Sequence, residues 1–438
     1  MSDKKVIKLT PDMVRWIGTR FLDPLGRVFE YQGEFYRAVY PHRAGFFKSC
    51  WRRGVYQRLM DAGFLVQTTY DKDIEMEGYG PVMKHRRLPF LPKGGDLCRS
   101  QTLDYARTFL EMNLMLAEMD DGYGLIDSHV GNFGQQGCAR PVWLDLGSIQ
   151  ALKVADIGLE EFKKLWWRPL KVVAERPELW RILRLTGQAG GLSAAEFTAL
   201  CGQESTLATM DGGTIAQQRK AMLTLLLEEL PKTLSAGETV WRNYHGDLIT
   251  TPNEAEPRMA AILRLINEKR PRTLIDLACA NGRISLCAAR RGIEVLAADY
   301  DEGAIERCFE SVKSLGENIQ FSTANFDIVS KRQSPLVADM VLALAVTHHM
   351  SLSQYYPFDF IAERLASYTK QTLLTEFMPN GLGTTEKQEG LPEWYTQEHF
   401  AAAFRKHFKS VRVIETGDRG NHSPRILFCC ETPLRTGL

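Results

Sequence analysis

The sequence predicts two architectures in one chain, an α+β region followed by an α/β, doubly wound parallel sheet. Three observations carry this. The stretch Thr273 to Asp301, TLIDLACANGRISLCAARRGIEVLAADYD, reads as a strand ending in small residues, a helix opened by Asn281-Gly282 and closed by Gly292, and a second strand stopping at Asp299. From there to residue 431, short apolar runs alternate with stretches of helical spacing, which is the pattern of βα steps in a parallel sheet. Ahead of residue 236 that alternation is missing. Residues 26 to 40, GRVFEYQGEFYRAVY, instead read as a hairpin turning at Gln32-Gly33, with helical stretches after it.

A chain of 438 residues exceeds one ordinary core, and 44% apolar with 24% charged residues is a globular composition. The longest apolar run of note, Met340 to Val346, is far too short to span a membrane, and the Lys-rich start has no apolar stretch behind it, so a cytoplasmic protein is expected. Nine scattered cysteines form no Cys-x-x-Cys pair, which argues against a zinc site or a disulfide framework. Residues 1 to 100 hold 18 Lys plus Arg against 11 Asp plus Glu, while the whole chain is near neutral. This reads as a solvated basic surface, with no nucleic-acid partner expected.

In the N-terminal part a helix is expected over residues 43 to 62, short strands at 64 to 70 and 80 to 84, and an amphipathic helix over 101 to 119. Then Asp127 is followed five positions on by Asn132, and thirteen further on by Asp145 in Leu-Asp-Leu-Gly. This spacing resembles the catalytic loop and metal-binding turn of protein kinase-like phosphotransferases. The resemblance implies Asp127 as the base, with Asn132 and Asp145 as metal ligands for Mg-ATP. Against an active site, Arg37 stands where a lysine is wanted, the following helix has no glutamate, and no glycine-rich phosphate loop is visible. The region is therefore expected to be a degenerate kinase-like shell. Residues 151 to 235 read as helices anchored by Trp166, Trp167, Leu170, Leu179, Trp180, Leu183 and Leu185, forming a kinase-like C-lobe or a connector. The expected division is 1–150, 151–235 and 236–438.

In the last of these, strands are expected at 273–279, 294–299, 319–323, 339–346, 371–377, 410–415 and 425–431. Asp276-Leu277-Ala278-Cys279-Ala280-Asn281-Gly282 resembles the first motif of class I S-adenosylmethionine-dependent methyltransferases, a Rossmann-like family, with alanine at two glycine positions. The resemblance implies S-adenosylmethionine as cofactor, Asp276, Ala278, Ala280 and Gly282 around it, and Asp299 on the ribose hydroxyls. Asn325 or Asp327 would face adenine, and the sequence does not choose between them. The alanines are expected to serve if their φ stays negative. A nicotinamide dehydrogenase is disfavoured because ACANGR lacks the G-x-G-x-x-G spacing.

Most of the chain resembles a bacterial group of methyltransferase-like proteins with a kinase-like segment in front. The shared pieces are GRVFEYQGEF, DSHVGN with LDLGSI, LALAVTHHM at 342–350 and LLTEFMP at 373–379. On the acceptor side His348, His349 and Glu376 are the candidate catalytic residues, a histidine of near-neutral pKa being suited to take a hydroxyl proton. If the strand continues to them, the two histidines should point to opposite faces, which also argues against a metal site there. Tyr355 and Tyr356 are read as packing residues, with a wall of the pocket as the other reading, and Pro379 to Gly390 as a lid or a surface loop. The expected activity is O-methylation of a hydroxylated small molecule or glycan. The alternatives are a bifunctional kinase and methyltransferase, or a cofactor-binding scaffold protein.

Overall fold

The computed structural model describes residues 6–18, 23–119, 122–186, 190–204, 212–242, 253–330, 336–383, 386–416 and 424–434. The chain divides into two compact units: Met1–Gly95, Arg99–Gln135 and Pro141–Leu234 form one, and Asp96–Cys98, Gln136–Arg140 and Ser235–Leu438 the other. Among the described residues no helix is long and apolar enough to cross a membrane.

The first unit is built on a five-stranded antiparallel sheet in the spatial order Arg15–Ile17, Gly26–Tyr31, Glu34–Val39, Val82–His85, Thr68–Asp71. The hairpin turns at Gln32 and Gly33, both at positive φ. The single helix expected over 43 to 62 is two, Ala44–Arg52 and Val55–Asp61, because Gly54 takes φ 70 and breaks the hydrogen-bond ladder. After the long helix Arg99–Ala117, the strand Tyr123–Leu125 pairs antiparallel with Ile149–Ala151. This pair brackets the Asp127 loop, the hairpin Phe133–Gln136 with Arg140–Trp143, and the Asp145 turn. The helices between residues 159 and 229 belong to the same unit. Trp166, Trp167, Leu170, Trp180 and Leu183 are buried there, Leu179 is half-buried, and the side chain of Leu185 lies outside the described residues.

The second unit is a seven-stranded sheet. In chain order its strands are Thr273–Leu277, Glu294–Asp299, Phe321–Asn325, Ala338–Ala343, Thr369–Phe377, Phe408–Ile414 and Ile426–Pro433. Their spatial order is third, second, first, fourth, fifth, seventh, sixth, with only the seventh antiparallel to its neighbours. Order reverses at the first strand, so right-handed crossovers put the helices before and after the reversal on opposite faces. Every residue of the first strand is buried, as a central parallel strand covered on both faces requires. Register also aligns the strand ends: Leu277 faces Ala298 and Ala343 across its two neighbours, and Asp299 pairs with Asn325. The loops after four strands therefore gather at one edge, over the point of reversal.

Candidate cofactor and acceptor site

The loop after the first strand winds left-handed three times, at Ala278 (φ 60), Ala280 (φ 50) and Gly282 (φ 81). The condition under which the alanines were expected to serve, a negative φ, is thus not met. The turn needs the glycine geometry, and the alanines adopt it under strain of about 1–2 kcal/mol each. Gly282 is fixed twice, by its φ and because a Cβ there would lie 2.5 Å from the Sγ of Cys308.

One carboxylate holds this loop, and a second ties the strand before it to the helix after it. Asp299 accepts from the Ala280 N–H through one oxygen (2.9 Å) and from the Asp301 N–H through the other (2.9 Å). A carboxylate has about four lone-pair positions, so two remain for a diol. Burial pushes its pKa up to about 6 against the opposing backbone N–H groups. Asp276 is buried and accepts from the Ser285 hydroxyl at 2.6 Å. Its pKa is pushed up to about 7, chiefly by burial, with Ser285 and Arg258 opposing and Asp299 adding. Asn325 is buried and its amide donates to the Asp299 and Tyr300 carbonyls (3.0 Å each), while Asp327 is exposed and accepts from the Val329 N–H.

Asn281 was not among the expected residues. Both polar atoms of its buried side chain lack a hydrogen-bond partner, and so do His348 Nδ1 and Ser351 Oγ across the same edge. Buried polar groups are nearly always paired, so unpartnered atoms on the segments that follow the first and fourth strands are what a polar ligand there would complete.

On the acceptor side the histidines do not continue the fourth strand, which stops at Ala343. Ala345 turns the chain at φ 49, and Thr347 and His348 begin a helical turn that runs on as the π-helix His349–Ser353. The two rings consequently lie side by side, with centroids 4.1 Å apart, rather than on opposite faces. His348 is buried, and burial, with His349 and Arg425 nearby, lowers its pKa to about 3. The near-neutral pKa expected of a histidine base is therefore not found at His348. His349 is half-buried, with a pKa lowered by burial alone.

Glu376 is fully buried and spends both oxygens on protein: Arg258 binds it bidentately at 2.6 and 3.0 Å, and the Ala345 N–H donates at 2.9 Å. Burial alone would raise its pKa, but Arg258 and Arg425 outweigh it and the net shift is downward. It is a positioning group for the 344–347 turn. Arg258 lies 118 residues away in sequence, so no local pattern could announce the pair.

In the other unit, Asn132 donates its amide to the Asp127 carbonyl at 2.9 Å, and its own carbonyl accepts from the Leu144 N–H, next to Asp145. Asp145 accepts from the Gly147 N–H and from Arg37 (3.0 Å), and the Arg37 guanidinium also pairs with Asp23. Arg37 is on the second strand of the hairpin, Glu34–Val39, and it neutralises the carboxylate expected to hold a metal. Among the described residues no cluster of three or more His, Cys, Asp or Glu is arranged to hold a metal ion.

No family model matches the chain. Among curated proteins it is similar to nodulation protein NoeA of Rhizobium meliloti (strain 1021), 24% identical over 471 aligned residues that cover 94% of this chain and 95% of that one. Solved structures similar to part of it include magnesium protoporphyrin IX methyltransferase from Synechocystis PCC 6803 with bound S-adenosylmethionine, at 17% identity, 44% of this chain, 88% of that chain and a TM-score of 0.32. WbdD, solved with a kinase inhibitor, matches at 17% identity over 48% of this chain and 50% of its own, TM-score 0.30. EvdMO1 matches at 16% identity over 40% and 41%, TM-score 0.32.

Proposed function

We propose that the unit beginning at Ser235 is an S-adenosylmethionine-dependent methyltransferase. The observation that carries this reading is the loop 278–282, wound left-handed at the reversal point of the sheet, tied to Asp299 and presenting the unpartnered side chain of Asn281. Asp299 would take the ribose diol with its remaining lone pairs, and Asp276, beneath the loop, an ammonium group. Asn325 supports the adenine side by fixing the Asp299–Tyr300 turn, and Asp327 is the exposed carboxylate there. When bound, S-adenosylmethionine supplies a methyl group on a sulfonium.

The acceptor proposed is a hydroxyl of a small molecule or glycan. His349 takes its proton, because it is half-buried and less perturbed than His348, whose neutral ring offers a hydrogen bond instead. The N-terminal unit fits a degenerate kinase-like shell in the succession of its sheet, helix, Asp127 loop and Asp145 turn. Mg-ATP binding is not proposed for it, since Arg37 already holds the Asp145 carboxylate.

Calorimetry with S-adenosylmethionine tests the central claim. Binding weakened about tenfold or more by Asp299→Ala is expected, roughly the value of one or two charge-assisted hydrogen bonds. Failure of the wild-type protein to bind, or an Asp299→Ala protein that binds as well, would remove the assignment.

A further inference from the structure

Just ahead of the sheet, residues 235 to 242 are fastened at several points. Ser235 Oγ, the Ala236 N–H and Arg242 all donate to the buried carboxylate of Glu306 (3.2, 2.7 and 2.9 Å). Thr239 Oγ1 donates to Asp301 at 2.5 Å. Asp301 is also the cap of the helix Glu302–Leu315, accepting from the Ala304 N–H. Beside it Gly303 leaves the room Thr239 occupies, since a Cβ at that position would overlap the Thr239 side chain and lie 3.0 Å from Arg242 Cβ. At its far end the segment reaches His349: the Trp241 ring lies 5.3 Å from it, edge to face at 73°.

Asp301 follows the second strand and His349 follows the fourth, and these two strands flank the first. The backbone of the segment stays beside the helix that follows the second strand, because Arg242 returns to Glu306, and the Trp241 side chain alone reaches from there to the turn after the fourth strand, past the end of the first. We infer that residues 235–242 roof the cofactor site and that Trp241 contacts the bound sulfonium nucleoside while bracing His349. The inference rests on the methyltransferase reading and goes beyond it by assigning the roof. An aromatic ring over the crevice excludes water from the displacement and offers its electron-rich face to a sulfonium, which the thioether product lacks. Seating depends on Glu306 and Gly303, far from the strap in sequence.

The test combines hydrogen exchange on the wild-type chain with titrations of variants. Saturating S-adenosylhomocysteine should slow amide exchange in 235–242. Trp241→Ala should weaken S-adenosylmethionine binding about tenfold, the scale of one desolvated cation–π contact, and narrow its preference over S-adenosylhomocysteine. Trp241→Phe should restore most of both. If the wild-type protein binds the cofactor while exchange in 235–242 is unchanged and Trp241→Ala binds equally well, the roof is refuted and the methyltransferase reading stands. A wild-type protein that binds neither compound overturns both. The exchange measurement needs no variant, so a misfolded Trp241→Ala protein does not shield the inference.

Discussion

The strain in the loop 278–282 can be measured directly by returning its two alanines to glycine. Ala278 and Ala280 hold φ 60 and 50, a region that costs an L-residue about 1–2 kcal/mol. Glycine removes that cost, but it loses about 0.5–1 kcal/mol more backbone entropy on folding. Each half-buried methyl also gives up roughly 0.4 kcal/mol of burial, half the value of a buried methylene. The net gain is about 0.35 kcal/mol per site, so Ala278→Gly plus Ala280→Gly should stabilise the unit by about 0.7 kcal/mol. That corresponds to a rise in Tm of roughly 1–3 °C for a domain of this size. Urea denaturation followed by circular dichroism reads the first number and a thermal melt the second. Ala280→Val is the control, since a β-branched side chain at positive φ should lower stability. A double-glycine variant less stable than wild type by 1 kcal/mol or more would refute the strain account and show that the methyls pack better than their exposure indicates.

Three further outcomes follow from the same site. Glu376→Gln leaves Arg258 without its carboxylate and should cost about 3 kcal/mol in urea denaturation; a variant of unchanged stability would return Glu376 to the reacting groups. The Glu376 contribution is present above the ordinary glutamate pKa and is lost as pH falls through its depressed folded value. His348 has a folded pKa of about 3, below its unfolded value of 6.5, so its contribution is complete above pH 6.5 and lost as pH falls through that window. Relative to His348→Gln, the wild type should lose about 2 kcal/mol between pH 7 and pH 5, at 1.36 kcal/mol per unit; parallel pH profiles would contradict this. Asp276, at about 7, is half-protonated near neutrality, so a cationic cofactor should expel up to about half a proton at pH 7. Calorimetry in buffers of different ionisation enthalpy measures this, and buffer-independent heats would argue against Asp276 facing the ammonium.

The alternation of apolar runs and helical spacing after residue 273 was enough to place all seven strands of the second unit. Strand and helix periods are properties of consecutive residues, and buried parallel strands are uniformly apolar. The Asp276, Gly282 and Asp299 positions were legible for the same reason, because strand, turn and helix fall within one stretch of chain. Local pattern could not say how Ala278 and Ala280 are wound, since the loop is tied through the Ala280 N–H to Asp299, a residue of another strand. It read His348 and His349 as continuing a strand, whereas Ala345 at φ 49, anchored through its N–H to Glu376, turns them side by side into a helix. Sequence thus determined the succession of strands and helices that builds the doubly wound sheet. Tertiary structure alone decided that Arg258 takes the Glu376 carboxylate, that Arg37 takes the Asp145 carboxylate, and that Trp241 meets His349. Each of those pairs joins residues about 108 apart or more, and only the folded chain brings their charges and rings within reach.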